Sequence, residues 1–427
     1  MVNKGNPWAL LPFFVFLIIF IGSGVVLQDF YAFPVIVAIT MASMVALAMN
    51  RKLSFSKKFD IFCQGAGNSN VMLMAFIFLL AGAFSSVAKG MGAVDATVNF
   101  ALAIIPQNFL IIGLFIIACF ISLAMGTSVG TIVALVPIGL GISEHTGLAV
   151  ALVTAAIIGG AMFGDNLSII SDTTITAVRT QGAQMKDKFR VNFWIVLPAA
   201  LLTSVIFGML TWGEAAPIDH VDYSLLKVVP YLIVIVLALM GMNVFFVLTL
   251  GITLAGAVGL IDGSYQLMDV VQQVGDGMAS MYGMAFLAIL IAGMVELIKC
   301  NGGIEFILQA IMKRISTRKG AEFGIAGLVA LTNLATANNT IAILIAGPLA
   351  KDIATQYNIE PRKAASLLDV FSCMVQGVLP YGAQFLVAAS LAGISPLSIL
   401  PYSFYPILIG VCGAVAIMIG YPKKTFS

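Results

Sequence analysis

The stretch Gly159-Gly160-Ala161-Met162-Phe163-Gly164-Asp165-Asn166-Leu167-Ser168-Ile169-Ile170-Ser171-Asp172-Thr173-Thr174 sets two carboxylates and a run of hydroxyls inside an otherwise apolar chain. The residues before it, 148–163, are apolar enough to enter a bilayer. A carboxylate such as Asp165 costs about 2.5–3.5 kcal/mol at mid-bilayer on insertion scales, so it needs a partner or a function there. The place to look for function is therefore a polar interruption of a membrane helix.

Composition agrees with a membrane protein. The chain is 60% hydrophobic and 9% charged, with a mean hydropathy of +1.06, where soluble domains carry roughly 25% charged residues. A net charge of +2 without a basic cluster argues against a nucleic-acid partner and leaves the lipid bilayer as the main one. Cys63, Cys119, Cys300, Cys373 and Cys412 show no paired spacing, so they read as small apolar fillers, with no disulfide frame and no metal site. No cofactor is implied beyond a coupling ion. Residues 8–27 are long enough for a first span and too long for a signal segment, and no cleavage site follows them.

At about 20 apolar residues per crossing, spans fall near 8–27, 30–49, 68–88, 191–211, 225–241, 243–260, 279–298 and 399–420. Segments 148–177 and 364–393 read as spans broken midway. Segments 108–142 and 321–352 read as apolar arms around polar tips, Gly126-Thr127-Ser128-Val129-Gly130-Thr131 and Thr336-Ala337-Asn338-Asn339-Thr340. If each armed segment returns to its own side, all but Lys89 and Lys227 of the 21 Lys and Arg face the cytoplasm. That bias predicts cytoplasmic N- and C-termini in a multi-pass cell-membrane protein, with acidic Glu214, Asp219 and Asp222 outside. The second arms, 132–142 and 341–352, look short, which favours re-entrant hairpins over double crossings.

An internal repeat appears at a shift of 211: Gly82, Gly92, Gly113, Leu123-Ala124 and Pro137 match Gly293, Gly303, Gly324, Leu334-Ala335 and Pro348 without a gap. The predicted fold is all-α and polytopic, with two inverted-topology repeats, each holding a re-entrant hairpin and an interrupted helix. Its parts are an N-terminal scaffold hairpin (1–60), repeat one (61–178), linking helices (179–278), repeat two (279–395) and a C-terminal helix (396–427). Inverted repeats with broken helices point to a secondary transporter whose site lies at the repeat interface.

Broken backbone is tolerated in a membrane only where it is buried in protein or lines a wet cavity. Thr127, Ser128, Thr131, Asn338, Asn339 and Thr340 supply oxygens beside freed carbonyls, the ligand type that hard cations prefer. Helix capping and close packing are the competing roles for these residues. Asp165 and Asn166 can coordinate a cation, or Asp165 can exchange a proton, with Ser168 and Ser171 adding oxygens. Asp172 serves equally as a helix cap. In the second repeat Gln376 and Gln384 flank Gly377, Pro380 and Gly382, and no acid matches Asp165. Asp369 precedes this break and reads as a second buried acid or as a cytoplasmic-end packing residue. Glu296, three residues from Lys299, reads as an interface anchor, and His145 and His220 as loop residues.

The string Phe163-Gly164-Asp165-Asn166-Leu167-Ser168, then Ser171-Asp172-Thr173-Thr174, resembles the signature of the NhaC-type Na⁺/H⁺ antiporter family. Thr332-Asn333 through Asn338-Asn339-Thr340 and Pro380-Tyr381-Gly382 resemble that family and the wider ion-transporter superfamily, so the likeness covers roughly residues 60–395. The chain departs at Ile169, where the family pattern has Pro. The resemblance implies paired re-entrant hairpins, a homodimer built on scaffold helices, an elevator-like motion, and Asn333 among the site residues. The chain looks most like a short-form subgroup suspected of carrying amino acids.

The expected function is cation-coupled secondary transport, driven by Na⁺, H⁺ or both, with Asp165, Asn166, Ser128 and Asn339 as the Na⁺ candidates. Neutral amides and hydroxyls favour a small zwitterionic solute; a plain Na⁺/H⁺ exchanger is the alternative. An intramembrane aspartyl protease fits poorly, since Met162 stands where its pattern needs Gly and no Tyr-Asp pair exists. A channel filter repeats one ring of groups around an axis, which the unlike half-sites here do not.

Overall fold

The computed structural model describes residues 5–27, 34–104, 106, 109–168, 171–212, 223–240, 242–312 and 316–422. Ile169, Glu214, Asp219, His220, Asp222 and several counted basic residues (Lys4, Lys313, Arg314, Lys423, Lys424) lie outside them. Among the described residues all regular structure is helical.

The first half runs α1 (Leu11–Leu27), α2 (Val35–Ala48), α3 (Phe55–Ala66), α4 (Ser69–Gly90), α5 (Ala93–Ile104), α6 (Leu110–Met125), α7 (Ser128–Thr146), α8 (Val150–Leu167), α9 (Asp172–Gln181) and α10 (Met185–Thr211). The second runs α11 (Leu225–Leu239), α12 (Val244–Ile261), α13 (Leu267–Ser280), α14 (Tyr282–Cys300), α15 (Gly303–Met312), α16 (Arg318–Thr336), α17 (Asn339–Gln356), α18 (Pro361–Gln376), α19 (Ala383–Ala392), α20 (Pro396–Ile399) and α21 (Phe404–Ile419). Helix ends recur at one offset of 211: α6 and α16 stop at Met125 and Thr336, α7 and α17 start at Ser128 and Asn339, and α9 and α19 start at Asp172 and Ala383. Packing recurs too. α3 lies on α14 and α13 on α4; α9 lies on α17 and α19 on α7.

Local chemistry sets the tips. α6 ends at Gly126 with φ 68°, and α16 at the equivalent Ala337 with φ 52°. The left-handed conformation costs a residue with a Cβ roughly 1–2 kcal/mol, so Ala337 is strained where Gly126 is not. The helices then restart on side-chain caps: Thr127 Oγ1 accepts from Gly130 N–H (3.4 Å), and Asn338 Oδ1 from Ile341 N–H (2.9 Å). Gly160 and Gly164, one turn apart on α8, let its backbone lie against α6. A Cβ at either would strike the Phe115 carbonyl or Ser122. Ser122 Oγ donates to the Ala161 carbonyl (2.6 Å), and at the offset positions Asn333 Nδ2 donates to the Ser372 carbonyl (2.7 Å).

Six helical runs among the described residues are long and apolar enough to cross a bilayer; Ala383–Ala392 with Pro396–Tyr402, bent by 101°, is a broken seventh span or a re-entrant loop. α7 and α8 are enclosed by other helices, while α10 turns Trp194, Leu201, Val205 and Met209 outward.

Several expectations need correction. The second arms are not short: α7 has 19 residues and α17 has 18, enough at 1.5 Å per residue to approach the roughly 30 Å hydrocarbon thickness. Both run through a proline, Pro137 and Pro348. His145 consequently sits in the last turn of α7, its Nδ1 2.8 Å from the Gly141 carbonyl, and not in a loop. α13 was not anticipated; its Asp and Gln residues hide an amphipathic helix that packs on α4. Cys63 and Cys300 are exposed and are not core fillers. Lys188, counted with the cytoplasmic loop, is 1% exposed on α10. Lys227, one of two basic residues on the wrong side of the expected bias, is paired with Asp262 at 2.8 Å.

Candidate functional site

The first turns of four helices meet at one cleft. Its wall includes Thr127, Ser128 and Val129 (α7), Asn338, Asn339 and Thr340 (α17), Ser171, Asp172 and Thr173 (α9), and Ala383 and Gln384 (α19), with Asp165 and Gln376 between them. The space is about 680 Å³ including its open mouth. Each helix N-terminus carries about half a positive charge in its free N–H groups. The cleft thus combines an excess of backbone donors with acidic side chains, and it can hold anionic and cationic groups of a ligand at once.

Asp165, near the end of α8, is 4% exposed. Its Oδ1 accepts from the Ser128 backbone N–H at 3.1 Å, placing the carboxylate on the N-terminus of α7. Among the described residues Asp165 forms no salt bridge. Its equivalent at the offset of 211 is Gln376, so one half-site is charged and the other neutral. Gln376 Nε2 donates to Gln384 Oε1 (2.6 Å), and Gln384 Nε2 donates to Ser128 Oγ (3.0 Å). This chain of amides ties the neutral half-site to the charged one. Gln376 Oε1 is buried without a hydrogen-bond partner among the described residues.

Of the residues singled out in the sequence, Thr127, Ser128, Asp165, Ser171, Asp172, Asn338, Asn339, Thr340, Gln376 and Gln384 come together around the cleft. Asn166, Ser168, Thr131 and Asn333 do not line it. Thr131 Oγ1 donates back to the Thr127 carbonyl at 3.0 Å, and Asn333 braces α16 on α18. Ser168 is the buried cap at the end of α8. Asp172 is exposed in the first turn of α9, and Ser171 holds the N-cap position without a side-chain capping bond, its hydroxyl 2.7 Å from Thr173 Oγ1.

Asn166 points the other way, into a buried polar cluster that includes Asp369, the second buried acid, and whose Lys188, Asn192 and Tyr405 sequence reasoning missed. Lys188 and Asp369 form an ion pair at 2.9 Å, 1% and 0% exposed. Asp369 Oδ2 also accepts from Asn166 Nδ2 (3.2 Å) and Asn192 Nδ2 (2.7 Å). Lys188 Nζ donates to the Asn166 carbonyl (2.8 Å) and to Thr174 Oγ1 (2.6 Å), and the Tyr405 hydroxyl donates to Asn166 Oδ1 (3.1 Å). The cluster ties α8, α9, α10, α18 and α21 together directly behind Asp165. One signal was available: Lys188 lies four residues before Asn192 and seven before Ile195, on the buried stripe of α10.

An apolar helical bundle interrupted at its centre by broken helices and an enclosed polar cleft defines a polytopic membrane transporter. The profile of the Na⁺/H⁺ antiporter family matches residues 6–212 and 218–423, and the chain belongs to that family. It is 26% identical over 398 residues to the Na⁺/H⁺ antiporter NhaC of Bacillus subtilis, covering 84% of this chain and 85% of that one. It is 24% identical over 437 residues to the malate-2H⁺/Na⁺-lactate antiporter of the same organism (92% and 91%). It is also 24% identical over 456 residues to the arginine/ornithine antiporter ArcD of Halobacterium salinarum (95% and 91%). The protein is a transporter of this family and not an enzyme.

Proposed function

We propose that this transporter couples a Na⁺ or H⁺ gradient to movement of a small organic solute such as an amino acid, by alternating access at the cleft between α7, α9, α17 and α19. The observation that carries the proposal is Asp165, a buried carboxylate with one backbone donor and no basic partner among the described residues. Such a group requires a cation or a proton. Oxygens of Ser128, Asn339 and Asp165 border the same space and suit a hard cation such as Na⁺. The first turns of α9 and α19, which carry no side-chain cap, suit a carboxylate on the solute. A bare cation exchanger has no use for that excess of donors, which favours the organic-solute reading. Relatives that exchange malate and lactate, or arginine and ornithine, are consistent with organic cargo in this family.

The offset of 211 in helix ends and the reciprocal packing support two inverted repeats, with the α6–α7 and α16–α17 hairpins entering from opposite sides. We place both chain termini in the cytoplasm on the Lys and Arg bias, and a homodimer and an elevator motion on the family resemblance. Uptake into proteoliposomes, with a panel of amino acids and organic acids under separate Na⁺ and pH gradients, tests the function. Wild-type protein should concentrate at least one solute on a gradient, and Asp165→Asn should abolish this while remaining folded. Wild-type rates in Asp165→Asn would remove Asp165 from the mechanism. Na⁺/H⁺ exchange without uptake of any solute would leave the plain exchanger.

A further inference from the structure

A second cavity, about 970 Å³ including its open mouth, adjoins the cleft. Asn338 and Ala383 border both spaces. Its walls come mainly from α4, α14, α17 and α19 and are mostly apolar (Val71, Phe78, Ile291, Val295, Ile345 and Leu386 among them), with Gln64, Asn68, Thr336 and Asn338 as neutral polar groups. The charged groups on it, Glu296 and Lys299, are half-exposed and paired with each other at 3.1 Å, so they leave no net charge for a polar occupant.

We propose that the carried solute is an amino acid with an apolar side chain, its charged head in the cleft and its side chain in this second cavity. The inference rests on the organic-solute reading above. The α-ammonium meets the Asp165 carboxylate and Gln376 Oε1, the buried acceptor that has no partner among the described residues. The α-carboxylate meets the first turn of α19, which begins at Gly382 without a side-chain cap, unlike α17, whose cap is Asn338. Ala383, in that first turn, also borders the second cavity, so a head held there directs its side chain between α4 and α14. Arginine and malate would each carry a charge into a mostly apolar space whose Glu296 and Lys299 are already paired with each other, at a desolvation cost. Leucine, isoleucine or phenylalanine would bury carbon on carbon.

The test is equilibrium binding to the purified full chain at constant Na⁺, using glycine, alanine, leucine, phenylalanine, arginine and malate. Each buried methylene should raise affinity about fourfold, so leucine should exceed alanine on the order of 50-fold. Leucinol and 4-methylpentanoate, which lack the carboxylate and the ammonium, should both bind far more weakly than leucine. Ala288→Leu, which fills the second cavity, should bring the leucine-to-alanine ratio close to one. Ile345→Ala, which enlarges it, should shift preference towards phenylalanine and gives an independent variant should the first not fold. A flat side-chain series, or tightest binding of arginine or malate, overturns the inference and leaves the transporter reading intact. A ratio unmoved by both variants overturns it in favour of a lipid-filled crevice. Na⁺/H⁺ exchange with no solute bound removes the organic-solute reading, and this inference with it.

Discussion

Lys188→Met should be the most destabilising single change near the cleft, and the damage should come from Asp369. At 2.9 Å the two charges attract by about 6 kcal/mol at an effective dielectric near 20. Burial cancels much of that gain, but removing one partner leaves the other charged, buried and unpaired, which typically costs about 3–5 kcal/mol. Asn166 and Asn192 still donate to Asp369 and soften the loss, while the Asn166 carbonyl and Thr174 Oγ1 lose a donor. A net loss of about 4 kcal/mol corresponds to roughly 5 °C in Tm for a chain of this size on soluble-protein scaling. The double variant Lys188→Met/Asp369→Leu removes both charges and should recover most of the loss, to within about 1–2 kcal/mol of wild type. Thermal unfolding of the three purified proteins in one detergent measures this. Equal Tm values for Lys188→Met and wild type, or a double variant worse than either single one, would refute a buried charge pair as the clamp behind Asp165.

Other outcomes follow from particular contacts. Ser128→Ala and Asn339→Ala should each raise the KM for Na⁺ or solute; if Na⁺ and solute stabilise both variants as they do wild type, these residues only cap and pack. Ala337→Gly should raise stability by about 0.5–1 kcal/mol in thermal unfolding, as relief of left-handed strain exceeds the extra unfolded-state entropy of glycine. At the rim, the hydrogen bond from Lys227 holds the Asp262 carboxyl below its ordinary value. Its small stabilisation, under about 1 kcal/mol at an exposed pair, is therefore present above the unfolded carboxyl pKa and lost as pH falls through the lowered one. Lys227→Ala should flatten that part of the acid-unfolding curve. Single cysteines at Lys186, Lys319 and Asp219, in a background without the native five, should react with an impermeant thiol reagent on intact cells at position 219 alone. Labelling at 319 with protection at 186 would mean an odd number of crossings and would break the inverted-repeat proposal.

Much of the cleft was legible in the sequence because polar groups are conspicuous against apolar spans. Ser128, Asp165, Asn339, Gln376 and Gln384 each interrupt a hydrophobic run, and an interrupted run must bury its broken backbone somewhere. The register of Gly and Pro likewise carried the 211-residue repeat, although only Gly92 and Gly303 mark helix ends; Gly82, Gly113, Pro137 and their equivalents lie inside helices. All-helical membrane architecture follows from the same physics: a bilayer offers backbone groups no partners, so each apolar segment must satisfy its own.

What the sequence could not decide was which polar residues face each other. Asn166 and Asp369 are 203 residues apart, and no local pattern announces their pairing. Lys188 stands among Lys186, Asp187 and Arg190, where the default reading is a solvated loop; only the approach of α18 to α10 turns it into a buried counter-charge. The same holds for the direction of neighbours one residue apart. Asp165 looks into the cleft and Asn166 into the cluster behind it, because α6 and α7 pack on one face of α8 and α10, α18 and α21 on another. The apolar chamber beside the cleft is likewise a product of packing: its walls are ordinary span residues until α14 and α17 leave space between them. Residue chemistry determined that a site exists and that it lies at broken helices. Tertiary contact determined which charges are neutralised inside the protein and, of the buried acids Asp165, Glu322 and Asp369, left Asp165 without a basic partner among the described residues.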